Sequence, residues 1–165
     1  MLSFLHVLVQ DFYQWCYYSN DYAFVRNSPY ALPILQALHM AGIILLLGMT
    51  LVLNLRLLDV GFRDSPLPLL ADDLWPWAKT GLVLAICTGA MVFLADPARY
   101  AESPSFRLKI CLFFVATLYQ STLFRRIVRK NPEVRAPAFN AMVAAVSILL
   151  WLGVSWSGRT TGLFQ

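Results

Sequence analysis

His39 lies inside an apolar run, Leu35-Gln36-Ala37-Leu38-His39-Met40-Ala41-Gly42. A titratable ring at bilayer depth is costly to bury without a partner, so it marks a candidate site before the rest of the chain is considered. At about 100° per residue, Gln36, His39, Thr50 and Asn54 project within an arc of about 60° and form one stripe. That stripe is expected to face a helical interior, because polar side chains turned to lipid lose water without gaining partners. Lys109, Phe113, Ala116, Gln120 and Phe124 make a second stripe at helical spacing.

A histidine so placed has three available jobs: axial ligand to haem, transition-metal ligand or proton-linked switch, and hydrogen-bonding glue between helices. Bis-histidine haem requires a second imidazole, and His6 is the other histidine of the chain, with Met40, Met49, Met91 and Met142 as alternative ligands. No His, Cys and Asp grouping has metal-ligand spacing, so metal at His39 is expected only with haem. No serine sits in a nucleophile motif, and no catalytic residue can be named. A charged head group is the more natural ligand. His39, Gln36, Lys109 and Arg159 suit an acidic or quinone-like head, with Asp96 neutralising one cation and His6 on the same side. Haem b and quinone both stay open as cofactors.

The elements that must position these residues follow from composition. The 165 residues are 59% hydrophobic and 13% charged, with mean hydropathy +0.61, far from the soluble norm. A span needs about 20 apolar residues, and four stretches qualify, at about 32–58, 77–95, 106–124 and 138–156. Pro29 and Pro33, Pro66, Pro68 and Pro76, Pro97 and Pro104, and Pro132 and Pro137 punctuate the boundaries. The expected fold is all-α, a four-transmembrane-helix up-and-down bundle over 31–165. Residues 1–30 are expected to form a retained amphipathic helix lying in the headgroup layer, through Phe4, Leu5, Leu8, Phe12 and Trp15.

Gly81, Ala85 and Gly89 follow one another at i+4, as do Pro137, Ala141 and Ala145, and both ladders read as close-packing faces. Cys16, Cys87 and Cys111 read as small packing residues rather than a disulfide framework. Arg125, Arg126, Arg129, Lys130 and Arg135 crowd the link between spans three and four, which places that link in the cytoplasm and both termini on the opposite, periplasmic side. A net charge of +4 suits anionic lipid and implies no nucleic-acid role.

The string Leu38-His39-Met40-Ala41-Gly42 with Gly48 and Leu53-Asn54-Leu55-Arg56-Leu57-Leu58, then Thr88-Gly89, Phe93, Phe106-Arg107-Leu108-Lys109 and Gly158-Arg159, resembles a family of small bacterial four-span inner-membrane proteins of unknown function. That family is in turn similar in architecture to b561-type cytochromes and copper-resistance D-like proteins. Residue by residue, His39, Gly42, Arg56, Lys109 and Arg159 match that family's motif, and the resemblance implies location and fold rather than an activity. Two positions depart from the pattern: Gln36 stands where an acidic residue is usual, and Arg125 where a histidine often follows the phenylalanine.

The functional expectation is a haem- or quinone-binding component of a redox chain in a bacterial inner membrane, with its site around His39. A small-solute or ion transporter or channel acting as an oligomer is one alternative, resting on the polar seam of Gln36, Thr50, Asn54 and Gln120. A non-catalytic accessory subunit is the other. Expected partners are the lipid bilayer and either further membrane subunits or a second copy of the chain.

Overall fold

The structure is a computed structural model and describes residues 25, 27–62, 64–97, 100, 103–130 and 136–163. Among these residues the chain is all-α, with α1 (Ala31–Leu57), α2 (Leu67–Ala95), α3 (Pro104–Tyr119), a π-helical turn (Gln120–Phe124), α4 (Arg125–Arg129) and α5 (Pro137–Leu163). Helical backbone angles continue through both joints of the π turn, so α3, the turn and α4 form one rod.

Each helix starts and stops where its local chemistry dictates. Ser103 caps α3, its hydroxyl accepting from the Phe106 amide at 3.4 Å, and Pro104 follows at the first helical position, where no amide hydrogen is needed. At the end of α1 the Val60 amide donates to the Leu55 carbonyl and the Asp59 amide to that of Arg56, the paired bonds of a Schellman stop. Asp59 takes the left-handed φ of 58° that glycine usually supplies. Arg56 then ties the loop down, donating to the Ser65 carbonyl at 2.9 Å and pairing with Asp59.

Three rods, α1, α2 and α5, are long and apolar enough to cross a membrane, and the chain is a membrane protein. Ile44 (70%), Phe114 (71%) and Leu149 (67%) are largely exposed, a face that suits acyl chains and not water. The sixteen residues of α3 alone span about 24 Å, short of the ~30 Å hydrocarbon layer.

The helices pair as two antiparallel hairpins, α1 on α2 and α3 on α5, joined by α1 against α5 and α2 against α4. Antiparallel sense follows from the contacts. His39 meets Ala85 while Gly42 meets Gly81, and Lys109 meets Gly158 while Tyr119 donates to the Val143 carbonyl. The larger cluster of buried apolar residues lies at the end away from His39, where Leu53, Leu57, Leu67, Ala71, Phe124, Ile127, Val128, Val143 and Ala144 form the main core. A second cluster of Leu46, Ala78, Ala116, Trp151 and Val154 fills the middle.

Several expectations need correction. The second apolar helix begins at Leu67, ten residues before the expected span, because Pro68 occupies the first turn and Pro76 is accommodated inside the helix. Its last counterpart, α5, runs on past Trp156 to Leu163. Cys87 and Cys111 are exposed, so they are not packing residues of this bundle. Pro137, Ala141 and Ala145 are exposed too, and among the described residues nothing packs closely on that ladder. The expected interfacial helix at 1–30, with His6 and Cys16, lies almost wholly outside the described residues.

Candidate functional site

The α1–α2 hairpin positions His39. Its Nδ1 sits 2.9 Å from the Ala85 carbonyl and 3.3 Å from the Thr88 hydroxyl oxygen. A carbonyl only accepts, and the Thr88 hydroxyl already spends its proton on the Leu84 carbonyl at 2.6 Å. Both neighbours therefore require a proton on Nδ1, and in the neutral ring it is Nε2 that keeps the lone pair.

Gly89 makes this geometry sterically possible. A Cβ there would lie 2.8 Å from His39 Cε1 and 3.2 Å from Nδ1, so the ring rests directly on the glycine backbone. Across the bundle Lys109 lies along Gly158, where a Cβ would be 3.4 Å from Cε and 3.5 Å from Nζ. The two basic groups are near enough for the Lys109 charge to act on His39. Among the described residues no carboxylate is within ion-pair distance of Lys109. All four rods thus contribute to one end of the bundle: His39, then Ala85, Thr88 and Gly89, then Lys109, then Gly158. Phe93, Tyr100 and Phe106 cluster beyond them, with ring centroids 5.5 to 6.4 Å apart, Phe93 stacked on Phe106 and Tyr100 tilted against both.

The other residues singled out from the sequence are placed differently. Gln36 is exposed, a correction to the interior stripe: it lies one turn beyond His39, where no helix among the described residues covers that face of α1. Asp96 is exposed at the end of α2, its amide donating to the Phe93 carbonyl. Arg159 is exposed on α5, next to the Gly158 on which Lys109 rests. No group of three His, Cys, Asp or Glu side chains among the described residues could hold a metal ion.

Deeper in the bundle the two stripes meet. Asn54 Nδ2 donates to the Thr50 carbonyl at 2.9 Å and to Ser147 Oγ at 3.0 Å, and Ser147 donates onward to Gln120 Oε1 at 3.1 Å. The chain of bonds crosses α1, α5 and the π turn. Ser147 was the missing link in the sequence reading, a single hydroxyl in the apolar run Ala144-Ala145-Val146-Ser147-Ile148, and that isolation was the available signal. Thr88, which orients the histidine, carried only the weak signal of its place beside Gly89. Because interhelical side-chain bonds in membranes are each worth about 1 kcal/mol, Ser147→Ala is expected to destabilise the fold by about that much. Asn54→Leu should cost the same or somewhat more, and the double variant less than the sum, as measured by reversible unfolding in mixed micelles.

No curated protein and no solved structure matches the chain. A family model does, over residues 13–164, a range that takes in His39, Lys109, the polar seam and every helix from α1 to α5. The chain therefore belongs to DUF6644, a family of unknown function.

Proposed function

We propose that this chain is a four-span protein of a bacterial inner membrane whose His39 and Lys109 hold the head of a quinone-type ligand in a redox chain. The observation that carries the reading is the locked Nδ1 proton of His39, bonded to Ala85 and Thr88. In the neutral ring it leaves Nε2 as an acceptor at the end of the bundle that also holds the Lys109 donor. A quinol hydroxyl can donate to that nitrogen while the Lys109 ammonium donates to a carbonyl oxygen, so both ends of the redox couple find a complementary group. The rod from α3 through α4 supplies the fourth span, and the cations Arg125, Arg126, Arg129 and Lys130 set its end in the cytoplasm. Both termini and the His39 site then face the periplasm.

Haem b is the second reading, favoured by the same bond, because a backbone carbonyl on Nδ1 is the usual way an imidazole is oriented for ligation through Nε2. His39 would supply one axial bond; a second imidazole is not found among the described residues. The transporter reading loses its main support, since Asn54, Ser147 and Gln120 are joined to one another as interhelical glue.

The purified protein should bind a short-chain quinone saturably, and His39→Ala should weaken binding by about tenfold or more, the effect of losing one good hydrogen bond in a dry site. Unchanged affinity in His39→Ala would sink the quinone reading. An optical spectrum after expression with added haem precursor separates the two ligands. A Soret band lost in His39→Ala assigns haem instead.

A further inference from the structure

Four cations, Arg125, Arg126, Arg129 and Lys130, fall on α4 and the residue that ends it. Two are spent on α2. Arg129 Nη2 pairs with Asp72 Oδ1 at 2.6 Å, and Arg125 Cζ stands 5.6 Å from the Trp75 ring centre. Arg126 and Lys130 are exposed, and among the described residues neither has an ion pair or a side-chain hydrogen bond. They lie one turn apart, on a strip of the rod turned about 100° from the strip that faces α2.

Their depth follows from α2. Its 29 residues make about 43 Å of helix, whereas the hydrocarbon layer is about 30 Å thick. With Ala95 at one boundary, Trp75 falls at the other, and Asp72 and Asp73 lie beyond it among the head groups. Trp75 and the exposed Trp77 suit that level, where tryptophan concentrates. Because Arg125 meets Trp75 and Arg129 meets Asp72, α4 stands at the same level, with its cations in the head-group layer.

The rod that leads to this pair presents an apolar line. Phe114, Leu118 and Leu123 are all half exposed or more. Leu118 and Leu123 are five residues apart, the spacing of a π turn, so the exposed line runs through the turn and on to Arg126 and Lys130. From Phe114 to Leu123 is about 13 Å, close to half the hydrocarbon layer. An apolar line one leaflet deep that ends in two cations has the layout of a phospholipid with a negative head. An acidic protein segment would meet the cations and leave the apolar line unused. A zwitterionic head brings its own cation, which this cluster repels.

We propose that Arg126 and Lys130 form the head-group site of an anionic phospholipid, whose phosphodiester accepts from both side chains while an acyl chain runs along Leu123, Leu118 and Phe114. The site rests on the rod being the fourth span, and not on what His39 binds. Full-length protein in a non-ionic detergent, titrated with dioleoyl phosphatidylglycerol and read by native mass spectrometry, is expected to retain one such lipid at concentrations where dioleoyl phosphatidylcholine is not retained. Arg126→Gln and Lys130→Gln should each weaken retention about fivefold, the worth of one cation at an anionic lipid surface, and the double variant about 25-fold. Arg126→Lys keeps the charge and should keep the lipid. Both positions are exposed and glutamine favours helix, so unfolding midpoints in lipid-free detergent should match that of the parent. Equal retention of the two lipids, retention unchanged in the double variant, or an equal loss in Arg159→Gln at the other end of the bundle overturns the proposal. So does displacement by soluble glycerol phosphate or by a polyglutamate peptide at equal concentration, which would assign the pair to a free anion or to an acidic protein. His39→Ala should leave lipid retention unchanged, so a failure of quinone binding and a failure of this site are told apart.

Discussion

Gly81→Val is expected to separate α1 from α2 and to leave little folded protein. A Cβ at Gly81 would stand 2.6 Å from the Leu46 amide nitrogen and 2.7 Å from the Gly42 carbonyl oxygen, and one at Gly42 would stand 2.8 Å from the Ala85 nitrogen. These are backbone atoms, which cannot turn aside as a side chain can. Accommodating even a methyl means pushing two long helices apart, and overpacking of this kind costs about 1–3 kcal/mol for modest insertions. Gly81→Ala should fall in that range, and the branched valine beyond it. The loss matters more in lipid than in water, because helices there associate through close packing rather than through the hydrophobic effect.

Gly48 provides the control. It lies on α1, as Gly42 does, and a Cβ there meets nothing within 4 Å among the described residues. Gly48→Ala is expected to be neutral or to stabilise α1 by roughly 0.5–1 kcal/mol, the helix preference of alanine over glycine. Unfolding midpoints of Gly81→Ala, Gly81→Val and Gly48→Ala in mixed micelles check the point. Equal midpoints for Gly81→Ala and Gly48→Ala would show that the close approach contributes no stability.

Gly89→Ala should do the reverse, sparing the fold and disabling the site. Here the atoms in the way belong to the His39 ring, at 2.8 Å for Cε1 and 3.2 Å for Nδ1. An imidazole at the end of its side chain can swing clear, so the helices need not move. Swinging it away breaks the bonds from Nδ1 to Ala85 and Thr88, and with them the constraint that leaves Nε2 as the acceptor. Ligand affinity is expected to fall about tenfold, close to the effect of His39→Ala, while helicity and unfolding midpoint stay near those of the parent. Measured together, affinity and midpoint distinguish this outcome from a general loss of structure. A midpoint that collapses along with the affinity would mean that Gly89, like Gly81, holds the helices together.

Much of the architecture was legible in the sequence because lipid imposes a simple demand. Every backbone polar group must be satisfied within the segment, so long apolar runs bounded by proline read directly as helices. The ends of α1 illustrate this, since the observed helix Ala31–Leu57 differs from the expected span 32–58 by one residue at each end. The start of α2 was misread for an equally physical reason. Pro68 and Pro76 read as stops in the sequence, although proline is well tolerated in a first turn and, within a long helix, removes only one bond from the ladder.

The site divides in the same way. Periodicity alone set Thr50 and Asn54 on one stripe and Gln120 and Phe124 on another, and all four are buried. The same rule failed for Gln36, because a helical phase says which face a residue occupies but not where the neighbouring helices end. It also gave no hint of the π turn, which depends on Ser121 and Thr122 bonding back to a carbonyl.

By itself, the sequence determined the membrane habit of this protein, its helices, the singular position of His39 and the presence of polar residues at depth. These are one-dimensional properties, set by composition and by the 3.6-residue period. Only the tertiary structure decided which nitrogen of His39 carries the proton, that Gly89 and not another residue receives the ring, that Lys109 comes within electrostatic range, and that Ser147 joins Asn54 to Gln120. The reason is that each of these depends on the distance between helices and their axial register. Register is fixed by contacts such as Gly42 on Gly81, between residues far apart in the chain that no periodic pattern can pair.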